Sequence, residues 1–155
     1  MIFTRFASPL GELLLCAEPE GLSRLSLAAA TQPDPEGAHR DDDALAEARD
    51  QLLAYLAGRR RSFSLSLAPG GSDFQRQVWA ALLRIPWGET RTYGELARRL
   101  GREGAARAIG AANGANPLPL LIPCHRVVAA DGLGGYSGGI ELKRRLLALE
   151  GSLSG

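Results

Sequence analysis

Residues 92–112 read TYGELARRLGREGAARAIGAA and carry the signals of two short helices. Thr92, followed three residues later by Glu95, forms the pattern of a capping box, which opens a helix, and Gly101 is typical of a helix end. A second short helix is predicted from about Gly104 to Ala112. Two short helices around a glycine turn are typical of a helix-turn-helix, although an ordinary helical hairpin shows the same periodicity.

The second of these helices carries mostly small side chains, and Arg107 is its only long polar residue. A helix that reads base sequence in the major groove needs several arginine, asparagine or glutamine side chains. This helix instead allows its backbone to approach a partner closely. We therefore expect any DNA binding to depend on phosphates and shape, with weak sequence preference. Tight packing against a neighbouring helix would explain the same composition.

Charge divides the chain of 155 residues into two halves. Residues 1–72 contain 7 Arg and 10 acidic residues, net −3, whereas residues 73–155 contain 10 Arg, one Lys and 7 acidic residues, net +4. Residues 68–72 read APGGS and are a plausible linker. We therefore predict domains over residues 1–70 and 71–155. A basic half joined to an acidic one suggests that it meets a polyanion, although chance scatter of surface charge gives the same numbers.

The first domain is predicted to be a small α+β unit. Its predicted strands lie around Phe3 and over residues 12–17, 21–27 and 62–67. Residues 28–40 show no apolar period and are predicted to be a surface loop, and a helix that Gly58 ends follows them. Cys16 is expected in the core and His39 on the surface.

The second domain opens with a helix whose capping box is Ser72 with Gln75, and Pro86 begins the segment that breaks it. An amphipathic helix is predicted over residues 140–149 near its end. The longest uninterrupted apolar run, Val78–Leu83, has six residues, whereas a membrane-spanning helix needs about 20. No secretory signal or disulfide framework is recognisable, so we expect a cytoplasmic protein with free thiols and no membrane partner.

Residues 121–128 read LIPCHRVV and place Cys124 beside His125. A thiol becomes a strong nucleophile when it loses its proton, and an imidazole can take that proton directly or through a water. Prolines before this stretch predict an extended, stiff segment, in which adjacent side chains point to opposite faces, so a bridging water is reasonable. Glu150 is a candidate to orient His125. The alternative is a buried, inert cysteine beside a surface histidine.

Several linked motifs resemble the O6-alkylguanine-DNA alkyltransferase family, in that family's order. The resemblance covers residues 73–151 strongly and residues 1–72 in general layout. The motifs are FQ at 74–75 with VW at 78–79, IP at 85–86, GET at 88–90, TY at 92–93, AARA at 105–108, NP at 116–117, PCHRV at 123–127, GYSGG at 135–139, and LL at 146–147 with EG at 150–151.

This resemblance implies an α+β protein, with an N-terminal ribonuclease-H-like α/β domain followed by a C-terminal winged-helix-like DNA-binding domain. It implies repair of double-stranded DNA by transfer of methyl or other alkyl groups from O6-alkylguanine to Cys124, once per molecule and without a cofactor. DNA would bind through the minor groove. We expect a monomer, and leave open cooperative assembly on DNA and activity on O4-alkylthymine.

The resemblance also assigns roles to single residues. Cys124 matches the alkyl acceptor, His125 the water-linked general base, Glu150 its orienting carboxylate and Asn116 a hinge. For DNA binding it implies Tyr93, which rotates the nucleotide out, the arginine finger Arg107, and the close-approach residues Ala105, Ala106 and Gly110. For the base pocket it implies Tyr93, Val127, Tyr136 and Ser137, with the carbonyls of Cys124 and Val127 accepting from the guanine amine. Lys143 matches a family lysine.

Three rival functions remain at this stage. A non-catalytic alkyl-lesion recognition protein would carry another residue in place of the acceptor cysteine, and Cys124 argues against it. A cysteine hydrolase would turn over repeatedly, and a DNA-binding regulator would carry base-reading side chains. Some relatives hold zinc in the N-terminal domain, but outside the active site this chain offers only Cys16 and His39, so we expect no structural zinc.

Overall fold

A computed structural model describes residues 1–152, and the chain forms two compact units that meet between Gly70 and Gly71. Both glycines adopt positive φ, 67° and 83°, a conformation that residues with a Cβ rarely adopt. A Cβ on Gly71 would also lie 2.7 Å from the ring of Trp79. The glycine pair at this junction is therefore required by the backbone.

The N-terminal unit is a mixed four-stranded sheet with one α-helix. Its elements are β1 (Ile2–Ser8), β2 (Gly11–Glu18), β3 (Gly21–Ser26), β4 (His39–Arg40) and α1 (Ala46–Leu56). The strand order is β3-β2-β1-β4, antiparallel except for the parallel β1–β4 pair. Central strand β2 is buried from Leu13 to Ala17, and Cys16 is fully buried within it, as predicted.

Two predictions for this unit are wrong. Residues 62–67 form no regular strand, because their pairing is limited to a single bridge between Leu22 and Leu67. Ser64 is bound instead by Gln51, which pairs with its backbone and its hydroxyl. Residues 28–40, predicted as a loop, contain a short 3-10 helix and strand β4, and a two-residue strand has no alternation that a sequence pattern can reveal.

The C-terminal unit is mainly helical. Its elements are α2 (Asp73–Leu83), β5 (Arg91–Thr92), α3 (Tyr93–Arg99), α4 (Ala106–Gly114), β6 (Val127–Val128) and α5 (Ile140–Leu149). Both predicted capping boxes are present, Ser72 with Gln75 and Thr92 with Glu95, and α5 has the predicted bounds. Helix α4 packs against α2 and α3, and the indole of Trp79 donates to the carbonyl of Ala112 at 2.8 Å.

The segment before Cys124 is turned and not extended, so that prediction is wrong. The amide of Ile122 donates to the carbonyl of Leu118 at 2.8 Å, and buried Leu120 has a φ of 72°. Cys124–Arg126 then forms a 3-10 helix. Prolines fix their own φ but leave the following residues free to turn, so the proline spacing alone could not reveal this path. Within residues 1–152, no helix is long and apolar enough to cross a membrane.

Candidate active site

A buried carboxylate joins separate segments of the C-terminal unit. Glu150, which follows α5, lies 2.8 Å from His125 Nε2. Arg126 contacts both carboxylate oxygens, with Nε 2.8 Å from Oε1 and Nη2 2.8 Å from Oε2. Its Nη1 donates to the carbonyl of Ile85, two residues beyond α2, at 2.6 Å. All three charged or titratable side chains are buried, so the network is held away from water.

Glu150 fixes the tautomer of His125. A carboxylate only accepts hydrogen bonds, so Nε2 carries the proton that faces it and Nδ1 of the neutral ring is an acceptor. Burial lowers the pKa of His125, Glu150 opposes that effect, and the positive charge of Arg126 lowers the pKa further. The resting ring is therefore neutral, and Nδ1 is the atom that can receive a proton.

Cys124 is a buried thiol surrounded by groups that stabilise its anion. Burial raises its pKa, while hydrogen bonds from Asn116 and Tyr136 and the charge of Lys143 lower it. The resting group is therefore a neutral thiol. Once a base takes its proton, the thiolate finds donors already in place. Such a thiol needs a base to take its proton before it can act as a nucleophile.

Lys143, the only lysine of the chain, is fully buried. Its ammonium donates to the carbonyls of Val127 at 2.6 Å and Gly135 at 3.1 Å. Burial lowers its pKa to about 8, and the charge on Cys124 opposes that shift. Lys143 therefore ties β6 to the segment that precedes Tyr136, and it supplies a positive charge that favours the thiolate.

Two asparagines hold the backbone around the nucleophile. Asn116 Nδ2 donates to the carbonyl of Ile122 at 2.8 Å, and its Oδ1 accepts from the amide of Leu118 at 2.9 Å. Asn113, in α4, donates through Nδ2 to the carbonyl of Cys124 at 3.3 Å. Helix α4 is thereby linked to the segment that carries Cys124. The hinge role that the resemblance implies for Asn116 stays a prediction.

A cavity of about 260 Å³ opens beside α4. Its lining residues are Tyr93, Gly110, Asn113, Gly114, Gly135, Tyr136 and Ser137. Three of the four predicted base-pocket residues thus lie together, whereas Val127 is buried in β6 and is not among the lining residues. Cys124 does not line the cavity either, but Tyr136 of the cavity wall is one of the groups that lower the pKa of its thiol.

Of the predicted DNA-contacting residues, Tyr93 begins α3, Ala105 directly precedes α4, and the other three lie within α4. Ala106 and Arg107 are exposed, while Ala105 and Gly110 are partly buried. Gly110 lies against Tyr93, since a Cβ there would be 3.8 Å from the tyrosine ring. The two helices and their turn expose four arginines, namely Arg98, Arg99, Arg102 and Arg107. These side chains give the helix pair a positive surface suited to phosphates.

Residues 1–152 contain no cluster of three or more histidine, cysteine or acidic side chains arranged to hold a metal ion. Cys16 is buried in β2 and His39 is exposed in β4. The expectation of no structural zinc stays a prediction.

Sequence reasoning missed two residues of this site. Arg126 was read only as part of the PCHRV motif, and its contact with Glu150 spans 24 positions of the chain. Asn113 was not singled out, because an asparagine in a small-residue helix gives no signal of its own. One clue for Arg126 was available, since an arginine amid the apolar residues of LIPCHRVV is buried only when it is paired.

The fold and the site together define a protein of the helix-turn-helix class that carries a buried cysteine next to a histidine bound by a carboxylate. Residues 73–152 match the family model described as "6-O-methylguanine DNA methyltransferase, DNA binding domain", and residues 1–69 match "6-O-methylguanine DNA methyltransferase, ribonuclease-like domain". The chain belongs to the 6-O-methylguanine DNA methyltransferase family.

Its relatives match over nearly the full chain. A methylated-DNA–protein-cysteine methyltransferase of Methanosarcina acetivorans is 44% identical, covering 98% of this chain and 99% of the relative. One from Mycobacterium tuberculosis H37Rv is 49% identical, covering 94% and 89%. A crystal structure of Mycobacterium tuberculosis OGT in complex with DNA matches with a TM-score of 0.90 at 46% identity, covering 98% and 94%. The predicted two-domain architecture is confirmed.

Proposed function

We propose that this protein repairs DNA by moving a methyl or other alkyl group from O6-alkylguanine to the sulfur of Cys124. The observation that carries this proposal is the buried set of Cys124, His125 and Glu150 in the unit that matches the family's DNA-binding domain. The relatives named above are methylated-DNA–protein-cysteine methyltransferases, which supports the same reaction.

The chemistry is a displacement at the alkyl carbon. Nδ1 of His125 receives the Cys124 proton, directly or through a water, and the thiolate attacks the carbon attached to O6. The new sulfur–carbon bond forms as the carbon–O6 bond breaks, and the electron pair leaves on guanine. Guanine then takes up one proton, so the net change is thiol plus alkylguanine to thioether plus guanine. A thioether is stable, so each molecule acts once.

The target base has to leave the helix before it can react, because a thiol buried in the protein cannot reach it inside a stacked duplex. We propose that α4 enters the minor groove, where its small residues allow a close approach. Arg107 then fills the gap in the stack, and Tyr93 crowds the neighbouring phosphate. Tyr93, Tyr136 and Ser137 line the cavity that would receive the base.

We also propose that the protein acts as a monomer in the cytoplasm. One chain supplies the nucleophile, the base, its orienting carboxylate and the exposed Arg107. A reducing compartment keeps the Cys124 thiol available for transfer. Size-exclusion chromatography with light scattering measures the molar mass in solution and should give that of a monomer. A dimer at all concentrations would contradict the proposal.

Incubation with duplex DNA that holds one O6-methylguanine should add one methyl group to the protein. Intact-mass measurement should show a gain that saturates at one methyl per chain, and peptide mapping should place it on Cys124. The same duplex with unmodified guanine is the control and should add nothing. Tight lesion binding without any mass gain would instead indicate a non-catalytic lesion-recognition protein.

Arg107→Ala should slow repair of duplex DNA much more than reaction with free O6-benzylguanine. Free base needs no extrusion, so the variant loses only the step that Arg107 assists. We expect the rate of duplex repair to fall about tenfold or more, because each ~1.4 kcal/mol lost from the free energy of base flipping lowers the rate by a factor of ten. Arg144→Ala, which removes another exposed arginine of the same unit, is the matched control. Equal losses on both substrates would contradict a flipping role.

A further inference from the structure

Asn113 carries a polar atom that the protein itself does not use. Its side chain is 5% exposed and lines the cavity beside α4. Among the residues that the structure describes, its Oδ1 is buried and has no hydrogen-bond partner. Buried polar atoms are almost always paired, because leaving one unpaired costs free energy. An unpaired acceptor in a cavity wall therefore points to a ligand that pairs with it.

The orientation of this amide is fixed by its other end. Nδ2 lies 3.3 Å from the carbonyl oxygen of Cys124. A carbonyl can only accept, so the atom that faces it must be the amide nitrogen and not the oxygen. Rotating the amide by half a turn would set two oxygens against each other. Oδ1 is therefore the free end, and it can only accept a hydrogen bond.

The ligand that satisfies Oδ1 must bring a donor. Alkylation at O6 removes the N1 proton of guanine, so the exocyclic amine is the only strong N–H donor left on the damaged base. O4-alkylthymine has lost its N3 proton in the same way and offers no N–H donor at all. An acceptor in the pocket therefore distinguishes the two lesions, and an unmatched buried acceptor is a strong source of rejection.

We propose that Asn113 is a specificity-determining residue, which accepts a hydrogen bond from the exocyclic amine of the extruded base and thereby favours O6-alkylguanine over O4-alkylthymine. This inference rests on the proposed function. The amine has two N–H groups, so Oδ1 takes the place of one of the two carbonyl acceptors that the resemblance implies. Both of those carbonyls already accept a hydrogen bond, Cys124 from Asn113 and Val127 from Lys143. The proposed contact also gives the otherwise small-residue helix α4 one side chain that senses the chemistry of the base.

Base entry has to open the wall of the cavity, because Oδ1 is closed off in the free protein. The wall formed by residues 135–137 lies between glycines, with Gly134 before it and Gly138 and Gly139 after it. Gly134 and Gly139 adopt positive φ, 72° and 98°. Lys143 holds this wall through the carbonyl of Gly135 at 3.1 Å, so opening it requires a change of backbone angles at the flanking glycines, which have a wide accessible range.

The test deletes each partner of the hydrogen bond in turn. Wild type and Asn113→Leu, which is similar in size without polar atoms, are assayed for single-turnover methyl transfer from three duplexes. These hold O6-methylguanine, O6-methylhypoxanthine, which lacks only the amine, or O4-methylthymine. Wild type should prefer O6-methylguanine to O6-methylhypoxanthine by about fivefold to tenfold, the value of one hydrogen bond. In the variant, the preference for O6-methylguanine should be smaller than in wild type, both over O6-methylhypoxanthine and over O4-methylthymine.

Two controls separate this role from a structural one. Alkylation of Cys124 by iodoacetamide, measured in wild type and variant, reports any change in the thiol that follows from losing the Asn113–Cys124 hydrogen bond. The ratio of the rates on the two purine duplexes within one protein does not depend on such a change. The same comparison is repeated with Asn113→Ala, because alanine is a good helix former. This second variant tests the proposal if the leucine variant does not fold. If the variant loses the same factor in transfer rate, relative to wild type, on O6-methylguanine and on O6-methylhypoxanthine, the proposal is overturned. Absence of transfer by wild type from O6-methylguanine would instead refute the proposed function.

Discussion

Replacing Cys124 by alanine should abolish methyl transfer and leave binding to DNA that contains O6-methylguanine close to that of wild type. The sulfur is the atom that forms the new bond, so no slower route through the same site remains. DNA contacts come from other residues, such as the exposed Arg107. We expect a stability cost of about 1 kcal/mol, because Cys124 is buried and alanine leaves a small cavity where the sulfur packed.

Transfer of a radiolabelled methyl group to protein measures the first effect, and gel-shift titration with the lesion duplex measures the second. Cys16→Ala is the matched control, because Cys16 is the other buried cysteine and lies in β2 of the N-terminal unit. That variant should transfer a full equivalent. Detectable transfer by Cys124→Ala would show that the acceptor has been assigned wrongly.

Local signals in the sequence were sufficient to predict most of the helices of the C-terminal unit. The capping boxes at Ser72 and Thr92 depend on residues three positions apart, and α5 has an amphipathic pattern with a glycine before it. Residues 62–67 alternate like a strand but make a single bridge, because forming a ladder depends on a partner strand and not on their own pattern. The path from Pro117 to Pro123 likewise depends on its contacts, including the amide of Asn116 on Ile122.

The active site likewise contains residues that the sequence predicts and contacts that it does not predict. The motif around Cys124 predicts a nucleophile and a neighbouring base. Glu150, 25 positions from His125, was a candidate partner for that histidine before the resemblance pointed to it as well. The resemblance supplied no role for Arg126. Its apolar surroundings in the sequence indicate that it is paired, but not that its partners are both oxygens of Glu150 and the carbonyl of Ile85. Such a pairing is a consequence of tertiary packing. The distances in the structure are needed to predict the effect of replacing Arg126.

Arg126→Met should destabilise the protein by about 3–5 kcal/mol, the cost of leaving a buried charge without its partner. The variant removes two contacts to Glu150 and one to Ile85, all at 2.8 Å or less. Urea denaturation measures the change. Arg144→Met is the matched control, because it breaks an exposed pair with Glu141 at 3.6 Å. An exposed pair contributes little, so we expect less than about 1 kcal/mol there.

Arg126 should also control the protonation of His125, and this effect separates a positioning role from a purely structural one. Its positive charge lowers the pKa of His125, whereas Glu150 raises it. Without Arg126, the positive charge that offsets the effect of Glu150 is lost and the pKa of His125 is higher. The ring then stays protonated up to a higher pH, and a protonated ring cannot accept the Cys124 proton. The acid limb of the transfer rate should therefore move to higher pH in the folded variant. An unchanged pH profile would confine Arg126 to stability.

A second substitution distinguishes the two contributions of this network. The double variant Arg126→Met with Glu150→Leu replaces a buried ion pair by apolar side chains, which is often neutral or stabilising. It should regain much of the lost stability but none of the transfer, because His125 then has no carboxylate to fix its tautomer. Full recovery of both would show that the buried pair serves packing alone, and that the base needs no partner to accept the proton of Cys124.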